Sequence, residues 1–392
     1  MSAVESWQQP DVSFWNDPKA RSYVFQAIAI LLLLGLAYDL YYNASSNLAK
    51  LGKTFGYEFW DRSAGFDISQ SLIEYSSSSS YGRAIYAGFL NTLLVAMLGI
   101  LLATVIGFIA GIARLSRNWL ISTIATFYVE TVRNIPLLLQ IFIWYGAVLK
   151  PLPGPKDAIN LGSYYLSNRG LTMPAPVFGE LAWMGFVGLV AGLMGAIILR
   201  RWARARQMAT GQSFPYIWGG IALIIVLPVL SLLIVGWPVS WDMPTLGAFN
   251  FSGGATIYPE FIALLVALSV YTGSFIAEIV RAGIQAVSHG QTEAASALGL
   301  RASHVTRLVI LPQAMRIIIP PLASQFLNLT KNSSLAVAIA YPDFVAMGGT
   351  VLNQTGKAIE IILLFMIVYL TLSLLTSGFM NWYNSRMKLV ER

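Results

Sequence analysis

Five charged residues fall inside long apolar runs: Glu130, Arg133, Glu278, Arg281 and Lys331. Polar side chains lie beside them at Gln140, Ser274, Asn332 and Ser333. Ionisable groups in such surroundings are costly, so they mark solute pathways or staple helices together. Glu130 and Arg133 are i, i+3, as are Glu278 and Arg281, and each pair can meet on one helical face. Lys331 has no acid near it in sequence, which favours a partner or solute role. The chemistry on offer is recognition. There is no cysteine, hence no disulfide, thiolate nucleophile or Cys-ligated metal. The two histidines, His289 and His304, share one polar loop, so they cannot hold a haem within the apolar runs, and no metal or cofactor is expected. Gly356-Lys357 lacks the rest of a phosphate loop, since Val351 replaces the first glycine and Ala358 the hydroxyl residue. Any ATP must be bound by another protein.

The elements that carry these residues are spans. The chain has 392 residues, 56% of them hydrophobic and 11% charged, with a mean hydropathy of +0.64. A soluble domain carries about 25% charged residues. The composition therefore describes an all-α polytopic membrane protein. A span takes about 20 apolar residues, and eight are expected, over 22–42, 84–113, 119–149, 180–199, 215–236, 258–281, 321–341 and 358–384. No small-residue cleavage site follows the first, so it reads as an uncleaved span after an N-terminal tail bearing Glu5, Asp11 and Asp17. With the N-terminus inside, fifteen Lys and Arg fall in cytoplasmic flanks and eight outside. The inside set runs from Lys19 to Lys388 and Arg392; Lys53 is among the outside set. That asymmetry puts both termini in the cytoplasm, and the net charge of +7 is no nucleic-acid footprint.

Four segments follow: a tail, first span and external loop over 1–83, a core piece over 84–149, an inserted external stretch and helical hairpin over 150–257, and a second core piece over 258–392. Ser76 to Ser80 reads as a flexible linker. Gly107 and Gly111 form a small-xxx-small pair. The hairpin turn holds Arg200, Arg201, Arg204 and Arg206, a topology anchor first and an anionic-lipid contact second.

The polar loop Ser288–Pro312 is the least ordinary stretch. Ser288 and Gln291 have capping-box spacing, and Gly299 stands where a left-handed residue ends a helix. Ser303 could cap a second helix with Val305, Leu308 and Val309 on one face, and Pro312 and Pro320–Pro321 would stop it. Glu293-Ala294-Ala295, then Gly299, then Val309 and Leu311-Pro312 resemble the EAA loop of bacterial ABC importer permeases, with Val309 in place of the usual Ile. The resemblance implies a coupling helix docked on a cytoplasmic ATPase through His289, Gly290, Gln291, Glu293, Ala294, Ala295, Leu298 and Gly299.

A narrower resemblance rests on Tyr128-Val-Glu130-Thr-Val-Arg133-Asn134-Ile-Pro136, Glu278-Ile-Val-Arg281-Ala-Gly283, Leu311-Pro312-Gln313-Ala314 and Lys331-Asn332-Ser333-Ser334. These are similar to the permeases of polar amino-acid uptake transporters, although many members have Asp-Thr at the positions of Asn332 and Ser333. The insertion, the Trp60–Phe66 loop and Asn91-Thr92-Leu93 look closest to the general L-amino-acid permeases. The implied assembly is a type I importer, with a core of five helices in this chain. It would pair with a second permease of the same family, two ABC ATPases and a periplasmic amino-acid-binding protein. A zwitterion needs a cation for its carboxylate and an acceptor for its ammonium group. Glu130, Arg133, Gln140, Ser274, Glu278, Lys331, Asn332 and Ser333 are the candidate pathway residues. The alternative is an ion-coupled secondary transporter, which would show an internal repeat; none is clear.

Overall fold

The computed structural model describes residues 17–50 and 55–387, so Glu5, Asp11, Lys53, Lys388 and Arg392 lie outside the described residues. Helices dominate. In order they are α1 Pro18–Lys50, α2 Tyr81–Ala113, α3 Trp119–Asn134, α4 Leu137–Phe142, α5 Trp183–Thr210, α6 Tyr216–Ile234, α7 Pro259–Gln285, α8 His289–Ala297, α9 Ala302–His304, α10 Leu311–Asn332, α11 Phe344–Thr355 and α12 Ala358–Met387. Among the described residues, seven helical stretches are long and apolar enough to cross a membrane, or eight if the bent pair around Pro136 is one span.

The core is built on α2 and α7, which meet backbone to backbone. A Cβ on Gly107 would stand 2.5 Å from Ile276 Cβ, and one on Gly111 would stand 2.7 Å from the Ala277 carbonyl oxygen. The small-xxx-small pair thus has a definite partner. Ile276, Ala277 and Val280 are fully buried along that seam. α10 packs on both helices, with Leu329 buried over Gly99.

The expectations for α10 need correction. Pro312 and Pro320–Pro321 do not stop a helix. Winding is continuous from α9 through a π-helical stretch, Val305–Ile310, into α10, and then through a 3-10 stretch, Ser333–Ile339. Pro312 sits in the first turn of α10, where its missing N–H costs little, and the wide π turns before it absorb the mismatch. The seventh span therefore covers 302–339 rather than 321–341. The third span bends at Pro136, as a proline at that depth invites: α3 and the run from Leu137 to Leu149 meet at 106°. Ile135 takes the extended conformation that a following proline imposes.

The Ser76–Ser80 run is not a loose linker. Ala64 and Gly65 donate to the Ser79 and Ser77 carbonyls, and Ser80 caps α2 by accepting from the Arg83 amide. These bonds hold the loop before α2 against an aromatic cluster of Phe59, Tyr81 and Phe344. The chain is mostly helical as expected, but residues 150–257 also hold short strands. β1 (Ile159–Leu161), β2 (Tyr164–Ser167), β3 (Gly170–Met173) and β8 (Ala255–Ile257) form one antiparallel sheet in that order. β4 (Ala175–Phe178) pairs with β5 (Val239–Asp242), and β6 (Thr245–Leu246) with β7 (Phe251–Ser252).

Candidate functional site: an ion network and an exposed loop helix

Three helices bring the charged residues together. Glu278, on α7, accepts from Arg114 at 2.5 Å and from Arg281 at 2.5 Å. Arg114 also reaches Glu130 on α3, at 3.2 Å. Arg133 approaches Glu278 at 3.8 Å and lies over the Phe275 ring at 5.1 Å. The expected Glu278–Arg281 pair forms. The expected Glu130–Arg133 pair does not, because Glu130 turns to α2 and Arg133 to α7. Arg114 was counted only as a flanking cation. Its position at the C-terminal end of α2 was legible, but its distant partners were not.

The network holds three guanidinium groups against two carboxylates. Arg281 also donates to Gln285 at 2.7 Å. The Arg133 Nε is buried and unpartnered. Gln140 is buried at the break after α3, where its amide donates to the Val132 and Ile135 carbonyls at 2.9 Å each. It satisfies oxygens that Pro136 leaves free. Ser274 and Ser333 are fully buried and donate within their own helices, to Tyr271 and Thr330.

Lys331 lies apart. It is exposed near the end of α10, and no carboxylate pairs with it among the described residues. Ser324, Asn328 and Lys331 are all exposed, at i, i+4 and i+7, so one face of this span is polar. Such a face does not suit lipid tails. Asn332, half-buried, follows at the end of the helix.

The second candidate is the loop after α7. α8 begins without a side-chain cap from Ser288. Instead of closing a capping box, Gln291 accepts from Gln313 at 3.3 Å, and His289 Nδ1 lies 3.0 Å from Glu293 Oε1. Gly299 ends the helix at φ 76°, as expected. Its amide donates to the Ser296 carbonyl, and Leu300 donates to Ala295. Arg301, not Ser303, caps the next helix by position. Ala295 and Val305 are buried against each other's helices, whereas His289, Gly290, Glu293, Ala294 and Leu298 face outward. Leu298 is 82% exposed, a large apolar side chain without cover.

A third polar site was not foreseen. Asp343 is fully buried between the last two spans and caps α11, accepting from the Ala346 amide at 2.8 Å. Its other oxygen has no partner. Asn91 donates to the Pro342 carbonyl at 2.9 Å, and Thr92 accepts from the Phe344 amide at 3.0 Å. Burial pushes the Asp343 carboxyl up to about 7. Gly356, at φ 68°, ends α11, so Gly356-Lys357 belongs to a helix terminus.

Seven of the described helical stretches are long and apolar enough to cross a membrane, and an exposed loop helix, α8, lies between two of them. The family of binding-protein-dependent transport system inner membrane components matches residues 185–389, and the chain belongs to it. It is thus a permease component of a multi-pass membrane transporter. It is 55% identical to the general L-amino acid transport system permease protein AapQ of Rhizobium johnstonii, over 96% of this chain and 94% of that one. It is 49% identical to the putative amino-acid ABC transporter permease protein YhdX of Escherichia coli over the full length of both. It is 46% identical to the glutamate/glutamine/aspartate/asparagine transport system permease protein BztB of Rhodobacter capsulatus, over 96% of each chain.

Proposed function

We propose that this chain is one permease of an ATP-driven importer of L-amino acids. α8 carries that reading. It projects Glu293, Ala294 and Leu298 outward from the end of α7, with small residues that let another backbone approach. A cytoplasmic ABC ATPase docks there, and two copies serve the assembled transporter. Their closure moves α8, and through Ala286–Ser288 it moves α7. The polar face Ser324–Asn328–Lys331 meets a second permease of the same family, and the solute passes between them. Lys331 offers a cation to the amino acid's carboxylate. Asn332 lies beside it, while Ser333 and Ser274 shape the wall without offering free groups. Glu130, Arg133 and Glu278 form the ion-paired cytoplasmic end of that route. A periplasmic binding protein delivers the solute. Both termini and the Arg200–Arg206 turn lie in the cytoplasm. The amino-acid class rests on the relatives' names and on the charge pattern.

The test is uptake by vesicles holding the reconstituted complex, given a panel of radiolabelled amino acids and ATP inside. Concentrative uptake that needs both ATP and the binding protein is expected. Uptake driven by an ion gradient alone would overturn the reading in favour of a secondary transporter.

A further inference from the structure

We infer that the arginine cluster at the tip of the α5–α6 hairpin binds the phosphodiester headgroup of an anionic phospholipid. The hairpin is a unit of its own. α5 and α6 close on each other through glycines: a Cβ on Gly188 would meet the Leu227 oxygen at 2.7 Å, and one on Gly192 the Leu223 oxygen at 2.7 Å. Gly188, Gly192 and Ala203 are the buried residues of α5, and Gly220 is that of α6. Outward side chains such as Phe186, Ile198, Ile221 and Ile225 are exposed. A helix pair apolar on its outer faces is solvated by lipid tails.

The charges stand at the right depth. From Trp183 to Leu199 the helix is apolar, about 26 Å at about 1.5 Å per residue, close to one hydrocarbon thickness of about 30 Å. Arg200 follows, where headgroups begin. Arg200, Arg201 and Arg204 are all exposed. At about 100° per residue they span an arc of about 100°, with Arg201 about 160° around from the buried Ala203. Arg201 thus faces away from α6, while Arg204 and Arg200 stand about 100° and about 60° around from Ala203, on the flank of the hairpin, exposed as well. Arg206 turns elsewhere, over the Trp202 ring at 5.5 Å and to Gln212 at 3.1 Å, and Trp202 meets Phe214 edge-on at 5.4 Å. The aromatic pair fixes the turn at the interface.

Among the described residues nothing consumes these charges. No Asp or Glu occurs between Glu180 and Asp242, and no ion pair among the described residues includes Arg200, Arg201 or Arg204. Guanidinium groups grip phosphate oxygens in pairs. A free phosphate or an acidic protein face would match the arginines alone. A phospholipid matches the arginines and the exposed apolar helix below them in one register. The inference holds for either leaflet, so it does not depend on the proposed orientation.

The experiment uses the assembled transporter in nanodiscs of mixed phosphatidylcholine and phosphatidylglycerol. After mild delipidation, native mass spectrometry counts retained lipids. Wild type should keep phosphatidylglycerol over phosphatidylcholine. The triple variant Arg200→Gln, Arg201→Gln, Arg204→Gln should lose that excess by about tenfold, with thiol labelling of Ser252→Cys confirming unchanged insertion. Should the variant fail to insert, wild type alone decides. Photoreactive phosphatidylglycerol should cross-link to the peptide carrying Arg200–Arg206. Absence of that cross-link, equal retention of both lipids, or full displacement by inorganic phosphate would overturn the inference.

Discussion

The Glu278 carboxylate stands 2.5 Å from the Arg114 guanidinium, although 164 positions separate them in sequence. Through this pair and Arg114–Glu130, one residue on α2 ties α3 to α7. Removing the shared acid leaves Arg114, Arg133 and Arg281 facing each other, partly withdrawn from water. Glu278→Gln should therefore destabilise the assembled permease by about 1–3 kcal/mol, measured as a lowered melting temperature in detergent. An unchanged melt would show that the three helices are held by packing alone.

Gly299 occupies left-handed backbone with no atom within 4 Å of an added Cβ. Substitution there acts through φ and not through crowding. Gly299→Val should cost about 1–2 kcal/mol of local stability, leave membrane insertion intact and abolish uptake. Gly299→Asn should be tolerated, since asparagine accepts that conformation. Co-purification of the ATPase and uptake by vesicles are the two measurements; normal values of both in the valine variant would remove α8 from the coupling role.

Lys331 supplies the cation of an otherwise neutral polar face. Lys331→Met keeps the length and removes the charge. The complex should assemble and melt as wild type does, uptake should fall at least tenfold, and ATPase stimulation by loaded binding protein should change. Poor assembly would instead assign Lys331 a structural partner across the permease interface. Unaltered uptake for every amino acid tested would take it out of the pathway.

Asp343 carries a pH signature. Its carboxyl titrates near 7 when folded, raised chiefly by desolvation, against about 3.9 in an unfolded chain. The folded state therefore holds the proton more tightly. Its stabilising contribution is complete below about pH 4 and is lost as pH rises through about 7. Asp343→Asn keeps the helix cap and cannot ionise. The variant should melt at or above the wild-type temperature at pH 8.5, with a flatter profile from pH 5.5 upward. A wild type whose melting is independent of pH in that range would exclude a buried ionising carboxyl.

Span number and the loop helix ending at Gly299 were legible because each rests on local rules: apolar length and a required φ. What escaped the sequence rests on distance or competition. Arg114 looks like a boundary charge until α7 folds beside it. Pro312 and Pro320–Pro321 look like stops, but the core buries Ile318, Ile319 and Leu322 of the same helix, and that burial outweighs the lost hydrogen bonds. Gln140 looked like a pathway amide, but its nitrogen donates to the Val132 and Ile135 carbonyls. The Ser76–Ser80 run was read from composition, which says nothing of the strand-like bonds it makes with Ala64 and Gly65.

The glycine seam between α2 and α7 leaves no clearance. Side chains that interdigitate can re-mesh one notch along, but a carbonyl resting where a Cβ would stand has no second seat. The two helices therefore form a single lever, pivoting together and never sliding. If α8 couples as proposed, a displacement at His289 would pass along α7 to Gly107, with compliance left to the break at Pro136 and the π turns before Pro312. Spin labels paired across α2 and α7 should report one fixed separation with and without nucleotide, and a changing one would mean that the lever has a joint.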